Sequence, residues 1–338
     1  MAKVNKRKII ILSSFCGALL LAYILTFVFD PENSAARGAF WTALDPKLKD
    51  DVRQIELAGD AKVSLVNEDG RWFVSFEDAL YPALQDKVAG MLDTLTGRGS
   101  YPVRSRSEAA QEKLTLTDKE ARSIVVRGAS GDVLLKLLVG APDAMLKDVY
   151  IRLEGSNEIR SGADLFSPFF GARKSWYELH LFPDRGVNGL NSGSVQRVII
   201  QPPPPEITRI SIEGEGGDFP VLPEEGYTLV RNDGGWHLDG SEEALDGQAV
   251  ETYIRRIIEC AADDFTPIPG ANDAEFTDPA FPSGKLVLEA GNGARRTVTI
   301  GPKVAGKFSA AVSGSPYVYL LTNLQLEQLF QRSDSFIK

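Results

Sequence analysis

Val63-Ser-Leu-Val-Asn-Glu-Asp-Gly-Arg-Trp72 alternates apolar and polar residues, breaks at Asp69-Gly70 and resumes on a tryptophan. Alternation of period two marks a half-buried strand, and Asp-Gly between two such runs marks a tight hairpin turn. The pattern returns as Tyr227-Thr-Leu-Val-Arg-Asn-Asp-Gly-Gly-Trp236, so the two tryptophans stand 164 residues apart. Upstream of the first, Val52-Arg-Gln-Ile-Glu-Leu57 reads as a strand. Its counterpart upstream of the second is Ile207-Thr-Arg-Ile-Ser-Ile212.

The correspondence continues downstream. Leu84, Val88, Met91, Leu92 and Leu95 fall on one helix face behind Pro82, a proline suited to a helix start. Val250, Tyr253, Ile254, Ile257 and Ile258 do the same in the second copy. Strand pairs follow: Ile124–Arg127 with Asp132–Gly140, and Lys285–Leu288 with Arg296–Gly301. Hairpins centre on Gly155-Ser156 and Gly314-Ser315. Short helices are predicted over Leu165–Phe170 and Leu324–Phe330, and the copies end at Arg173–Tyr177 and Arg332–Phe336. Matched elements in one order at nearly constant offset indicate a duplication.

Pro202-Pro203-Pro204-Pro205 reads as a stiff spacer, about 12 Å long at about 3.1 Å per residue, rather than a ligand for a proline-binding module. The predicted organisation is repeat 1 over 50–185, a linker over 186–206 and repeat 2 over 207–338. Val195-Gln-Arg-Val-Ile-Ile200 also resembles Val52–Leu57, so the second copy has an alternative start before the prolines. The fold class is α+β, each copy a mostly antiparallel sheet packed by one amphipathic helix.

This succession, carried by Trp72 and Trp236 with their Asp-Gly turns, by Gly140 and Gly301, and by Gly155-Ser156 and Gly314-Ser315, resembles a bacterial family of membrane-anchored proteins. Its domain is catalogued only as a domain of unknown function, and its members are often encoded beside gliding-motility-type ABC transporters. The resemblance covers nearly all of residues 50–338. It departs at the acidic, glycine-rich Glu213–Gly217 and the long insertion before Tyr227. It implies a periplasmic accessory role near a transporter and supplies no catalytic residues.

Residues 9–29, IIILSSFCGALLLAYILTFVF, form an uncharged run of 21 residues. As a helix it spans about 31 Å, against a hydrocarbon core of about 30 Å. Lys3, Lys6, Arg7 and Lys8 precede it, and Asp30 and Glu32 follow. Basic residues stay inside, which predicts a cytoplasmic tail over 1–8, a transmembrane helix over 9–29 and a juxtamembrane linker over 30–49. The bulk of the chain is then periplasmic, on a bacterial inner membrane. A cleaved signal peptide is the alternative, with small residues at Ser34, Ala35 and Ala36, but signal cores run about 7–15 residues.

Beyond the run lie all 46 acidic and 33 of the 37 basic residues, a formal balance of −13. That acidity argues against a nucleic-acid partner. With 43% hydrophobic and 25% charged residues the chain reads as globular. Cys16 and Cys260 lie too far apart in function, one in the membrane run and one on a helix pattern, to form a disulfide, and Cys260 reads as a buried structural thiol.

Chemistry is sparse. The two histidines, His180 and His237, are isolated, and neither CxxC nor HExxH occurs. His180 is read as packing the end of the first copy and His237 as an ordinary imbedded or surface imidazole. Gly189-Leu-Asn-Ser192-Gly193 lacks the spacing of a nucleophile elbow. Gly214–Gly217 is hemmed by Glu213, Glu215 and Asp218, which would repel a phosphate, and Gly291-Asn-Gly293 reads as a hairpin turn. Arg98, Arg104 and Arg106 around Tyr101 form a basic cluster read as a solvated loop. No catalytic, cofactor-binding or metal residue is assigned, and no cofactor. The expectation is a non-enzymatic accessory or scaffold subunit with protein partners in an inner-membrane transporter complex. The alternative is a membrane-tethered envelope enzyme or glycan-binding protein.

Overall fold

The computed structural model describes residues 40–142, 149–162, 165, 167–171, 173–187, 189–204, 220–266 and 283–337. The expected membrane run 9–29 and the strand expected at 207–212 lie outside the described residues. Among the described residues no helix is long and apolar enough to cross a membrane. The chain divides into two units between Tyr177 and Glu178.

In unit 1 the strands are β1 (Phe40–Trp41), β2 (Val52–Ala58), β3 (Lys62–Glu68), β4 (Arg71–Phe76), β5 (Ala79–Pro82), β6 (Gly99–Ser100), β7 (Val103–Ser105), β8 (Arg122–Gly128), β9 (Val133–Pro142), β10 (Val149–Leu153) and β11 (Ile159–Gly162). Two helices accompany them, α1 (Gln85–Thr96) and α2 (Glu108–Lys113). Nine strands make one antiparallel sheet in the order β5-β4-β3-β2-β8-β9-β10-β11-β7. Alternation decides which side is buried: Ile55, Leu57, Leu65 and Val74 are each no more than 1% exposed, and α1 supplies Val88, Met91, Leu92 and Leu95 to the core.

Unit 2 contains β12 (Val195–Gln201), β13 (Tyr227–Asn232), β14 (Gly235–Leu238), β15 (Asp264–Phe265), β16 (Gly284–Ala290), β17 (Arg295–Val304), β18 (Lys307–Val312) and β19 (Val318–Leu321). Its helices are α3 (Gly247–Ile258) and α4 (Asn323–Leu329). The sheet order is β14-β13-β12-β16-β17-β18-β19-β15. Strand for strand this is the order of unit 1 without β5, whose place holds a single bridge, His237 to Ala244. The protein is therefore α+β, with two large antiparallel sheets of one topology.

The boundaries differ from those read in the sequence. Trp41 pairs with Gly99 and Leu44 donates its N–H to the Leu95 carbonyl at 2.9 Å, so the expected linker over 30–49 contributes folded structure to unit 1. His180 bridges Ala261 in the same way, and the Leu181 N–H reaches the Cys260 carbonyl at 3.0 Å. His180 thus opens unit 2 instead of packing the end of the first copy. The expected linker 186–206 holds β12, which pairs with both β13 and β16, so the alternative start before the prolines is the correct one. The prolines interrupt a hairpin: three residues join β2 to β3, whereas residues 202–226 join β12 to β13. Pro203 is buried against Gly284, where a Cβ would meet the proline ring at 2.6 Å. Pro82 closes β5 rather than opening α1.

The Asp-Gly turns form hairpins of two kinds. Asp69 (φ 51°) and Gly70 (φ 83°) both take the left-handed region, as a two-residue turn matched to strand twist requires. In unit 2 the positive φ falls one residue later, on Gly235 at 105°. Asn67 Oδ1 accepts from the Gly70 N–H at 3.0 Å, and Asn232 Oδ1 from Gly234 at 3.0 Å.

Each unit closes on its own helix start. The Leu84 N–H donates to the Trp176 carbonyl at 2.9 Å, and the Asp246 N–H to the Phe336 carbonyl at 2.7 Å. Gln85 ties α1 to β4, donating to the Trp72 and Ala83 carbonyls and accepting from the Trp72 N–H. In unit 2, Asp246 caps α3, and the buried Tyr253 hydroxyl donates to the Leu329 carbonyl at 2.7 Å.

Gly140 lies inside β9, where the chain after α2 crosses it: the Ala141 N–H donates to the Leu114 carbonyl. A Cβ there would sit 2.3 Å from that carbonyl oxygen. Gly140→Ala is expected to lower stability by about 1–3 kcal/mol in denaturant unfolding. Gly90→Ala, in an exposed helix interior with open space around it, is expected to raise stability by about 0.5–1 kcal/mol in the same assay.

Candidate functional site

Sheet register makes the two tryptophans strictly comparable. Trp72 on β4 stands opposite Asn67 on β3, and Trp236 on β14 stands opposite Arg231 on β13. The helices align through their buried positions, Val88 with Val250 and Met91 with Tyr253, which sets Ala89 of α1 against Glu251 of α3. The first strands align as Val52 with Val195, which sets Asp50 against Gly193.

In unit 2 these positions make a closed polar cluster. The Arg231 guanidinium carbon lies 4.9 Å from the Trp236 ring centroid. Its Nη1 donates to the Gly193 carbonyl at 3.0 Å, and its Nη2 pairs with the Glu251 carboxylate. That carboxylate also accepts from Trp236 Nε1 at 2.9 Å. The guanidinium is therefore stacked on one side and hydrogen-bonded on two others.

Unit 1 keeps the tryptophan and the equivalent carbonyl, of Asp50, but has neither the arginine nor the helix carboxylate. Asn67 is short and its oxygen is taken by the Gly70 N–H; Ala89 carries no charge. The result is a cleft of about 470 Å³ bordered by Trp72, Asn67, Ala89 and the Asp50, Asp69 and Arg53 side chains. Trp72 and Trp236 are equally buried, each 8% exposed, so what differs is the group beside them. No hydrogen bond is made by Trp72 Nε1 among the described residues. Lys49, also on the rim, is paired with Asp93. Among the described residues Arg53 Nη1 donates to two carbonyls, Asp50 at 2.7 Å and Val52 at 3.0 Å.

The other groups singled out in the sequence are brought into structural roles. His180 Nδ1 lies 2.6 Å from Glu178 Oε1, and Glu178 faces Arg185 at 3.6 Å. His237 Nδ1 is buried without a hydrogen-bond partner among the described residues. The two imidazoles are not brought together. Ser192 sits on a loop organised by Asn191, whose oxygen accepts from the Ser194 N–H at 3.0 Å. Gly293 (φ 82°) forms the hairpin turn between β16 and β17 as expected. Gly214–Gly217 lies outside the described residues. Among those described, no group of three or more His, Cys, Asp or Glu side chains could hold a metal.

Arg98, Arg104 and Arg106 are all exposed, as read, but Arg104 lies on β7 rather than in a loop. Tyr101 is buried, Arg104 Nε donates to Ser161 Oγ at 2.8 Å, and Arg106 and Arg160 both bind Glu158. Hydrogen bonds from Arg106 and then Arg160 hold the Glu158 carboxyl below its usual range. Arg152, nearly fully buried, fastens the chain after α2 by donating to the Leu116 carbonyl and to Asp118 at 2.5 Å.

Sequence reading overlooked Asn67, Ala89 and Asp50 because none belongs to a chemical motif. The available signal was the substitution pattern between the copies at positions flanking one shared tryptophan. Comparison with family models, curated proteins and solved structures finds no match to this chain.

Burial pushes the Cys260 thiol up to about 12. A thiol held that high stays protonated and unreactive where a free cysteine, near 8.5, begins to ionise. In the folded chain the Cys260 peptide is expected to resist iodoacetamide at pH near 8.5 and to be labelled fully in denaturant, as read by mass spectrometry.

Proposed function

We propose that this chain is a non-enzymatic accessory or scaffold subunit of a bacterial inner-membrane complex associated with an ABC-type transporter. A helix over residues 9–29 holds it in the membrane, and its periplasmic units bind a partner. One observation carries the reading: a single fold occurs twice, and the space beside its tryptophan is filled by the chain's own Arg231 in one unit and left as a cleft in the other. A duplicated module diverging at one surface position is the pattern of a binding unit, since the core requirements stay constant while the contact face changes.

Two sequence features support the location and the class of partner. The uncharged 21-residue run is basic before and acidic after, the orientation signal of an N-in anchor. The −13 balance beyond it favours a protein or cationic surface over nucleic acid. Four of the cleft's bordering residues carry charge, which suits a polar, reversible contact rather than an obligate apolar interface.

Mild-detergent extraction of the full chain from its native membrane, with identification of co-purifying chains, tests the reading. Multi-spanning membrane subunits and an ATPase are expected in fixed ratio with it. Recovery of the chain alone and intact would overturn the proposal.

A further inference from the structure

The ribbon of β1 and β6, with the edge strand β7, gathers aromatic and basic side chains at one place in unit 1. Phe40 opens β1 and is 60% exposed, with the Arg98 guanidinium carbon 5.5 Å from its ring centroid. Beside it, Trp41 meets the Tyr101 ring edge-on at 5.3 Å and the Arg160 guanidinium at 5.3 Å. Arg104 stands exposed on β7 and Arg106 just beyond it. From Arg98 through Ser107 the chain carries three arginines and no acid; the next acid, Glu108, opens α2. Among the described residues the one carboxylate paired with Arg98, Arg104, Arg106 or Arg160 is Glu158, which Arg106 and Arg160 share. This edge is therefore locally basic on a chain whose balance beyond residues 9–29 is −13.

Its place along the chain says what it faces. Residues 30–39 separate the uncharged run from Phe40, and ten residues reach at most about 35 Å. With residues 9–29 in the membrane, β1 is the part of unit 1 that chain length holds closest to the bilayer. We propose that this edge docks on the periplasmic leaflet, with Phe40 entering the headgroup boundary and Arg98, Arg104 and Arg106 meeting the phosphates of anionic lipids. An exposed ring is favoured at that boundary, and the arginine fork matches phosphate geometry. One ring and three arginines make a weak contact by themselves, but the anchor supplies a high effective concentration, so a weak contact suffices. The inference deepens the membrane-bound role proposed above and rests on it only for the anchor over 9–29.

The test uses the full chain carrying Phe40→Trp, an added indole at the docking position, in nanodiscs of acyl-brominated phosphatidylcholine with or without phosphatidylglycerol. Bromine quenching in excess of that seen for the unsubstituted chain reads the contact. Quenching is expected to be strong with phosphatidylglycerol, weaker without it, and reversed near 1 M salt, where the screening length is about 3 Å. Adding Arg98→Gln, at an exposed position, should lower the ratio of docked to undocked chain about fivefold, the weight of one basic residue at an anionic surface. Co-elution with the discs is followed in parallel. A chain that co-elutes but shows no excess quenching would overturn the docking and leave the anchor standing. Failure to co-elute would sink both. Quenching indifferent to phosphatidylglycerol and salt would also overturn the proposal. So would an unquenched chain whose residues 98–106 are protected from hydrogen exchange only in the co-purified complex, which would assign the edge to a protein.

Discussion

Each unit must cover one face of a wide antiparallel sheet with a single long helix, and that constraint governs the rest. A sheet of eight or nine strands presents far more apolar surface than a 12-residue helix can bury. The chain responds by bringing its ends back to the helix. In unit 1 the segment ending at Trp176 returns to α1: its carbonyl accepts from Leu84, and Lys87 donates to Ser175 while lying 4.3 Å from the Trp176 ring centroid. In unit 2 Phe336 takes that place, its carbonyl accepting from Asp246 and its ring 5.1 Å from that of Tyr253. The same hydrogen bond at the same helix position closes both units.

The topology adds a second lock. After each long helix the chain sends one short strand to the far edge of the sheet, β7 beside β11 and β15 beside β19. One edge of the sheet is therefore completed only after the chain has passed through the helix, and the helix is held between the two halves of the sheet's assembly. Glycines appear where segments must touch. Gly162 on β11 faces the Tyr101 ring, with no room for a Cβ, and Gly140 faces the Leu114 carbonyl.

Most of the architecture was legible because it rests on local pattern. Period-two alternation located β2, β3, β8, β9, β16 and β17, period 3.6 located both long helices, and the Asp-Gly and Gly-Ser turns fell where expected. The errors share one cause. The edge strands β7 and β15 are three and two residues long, too short for any periodicity, and are defined only by pairing partners distant in sequence. The copy boundary was misplaced for the same reason: His180 looks like the end of an aromatic segment until its bridge to Ala261 is seen. Pro202–Pro205 has linker composition, and only the pairing of β12 to both neighbours shows that it interrupts a hairpin. The candidate site was hidden differently. It consists of ordinary residues, and its meaning lies in Asn67 and Ala89 being smaller than Arg231 and Glu251 at superimposable positions.

The account turns on one claim, that two equivalent tryptophans have opposite polar surroundings despite equal burial. Hydrogen exchange of the indole N–H groups, resolved for each tryptophan in the full chain, reads this directly. The Trp236 indole, donating to Glu251, is predicted to exchange markedly more slowly than the Trp72 indole beside its cleft. Equal rates, or stronger protection at Trp72, would contradict the account.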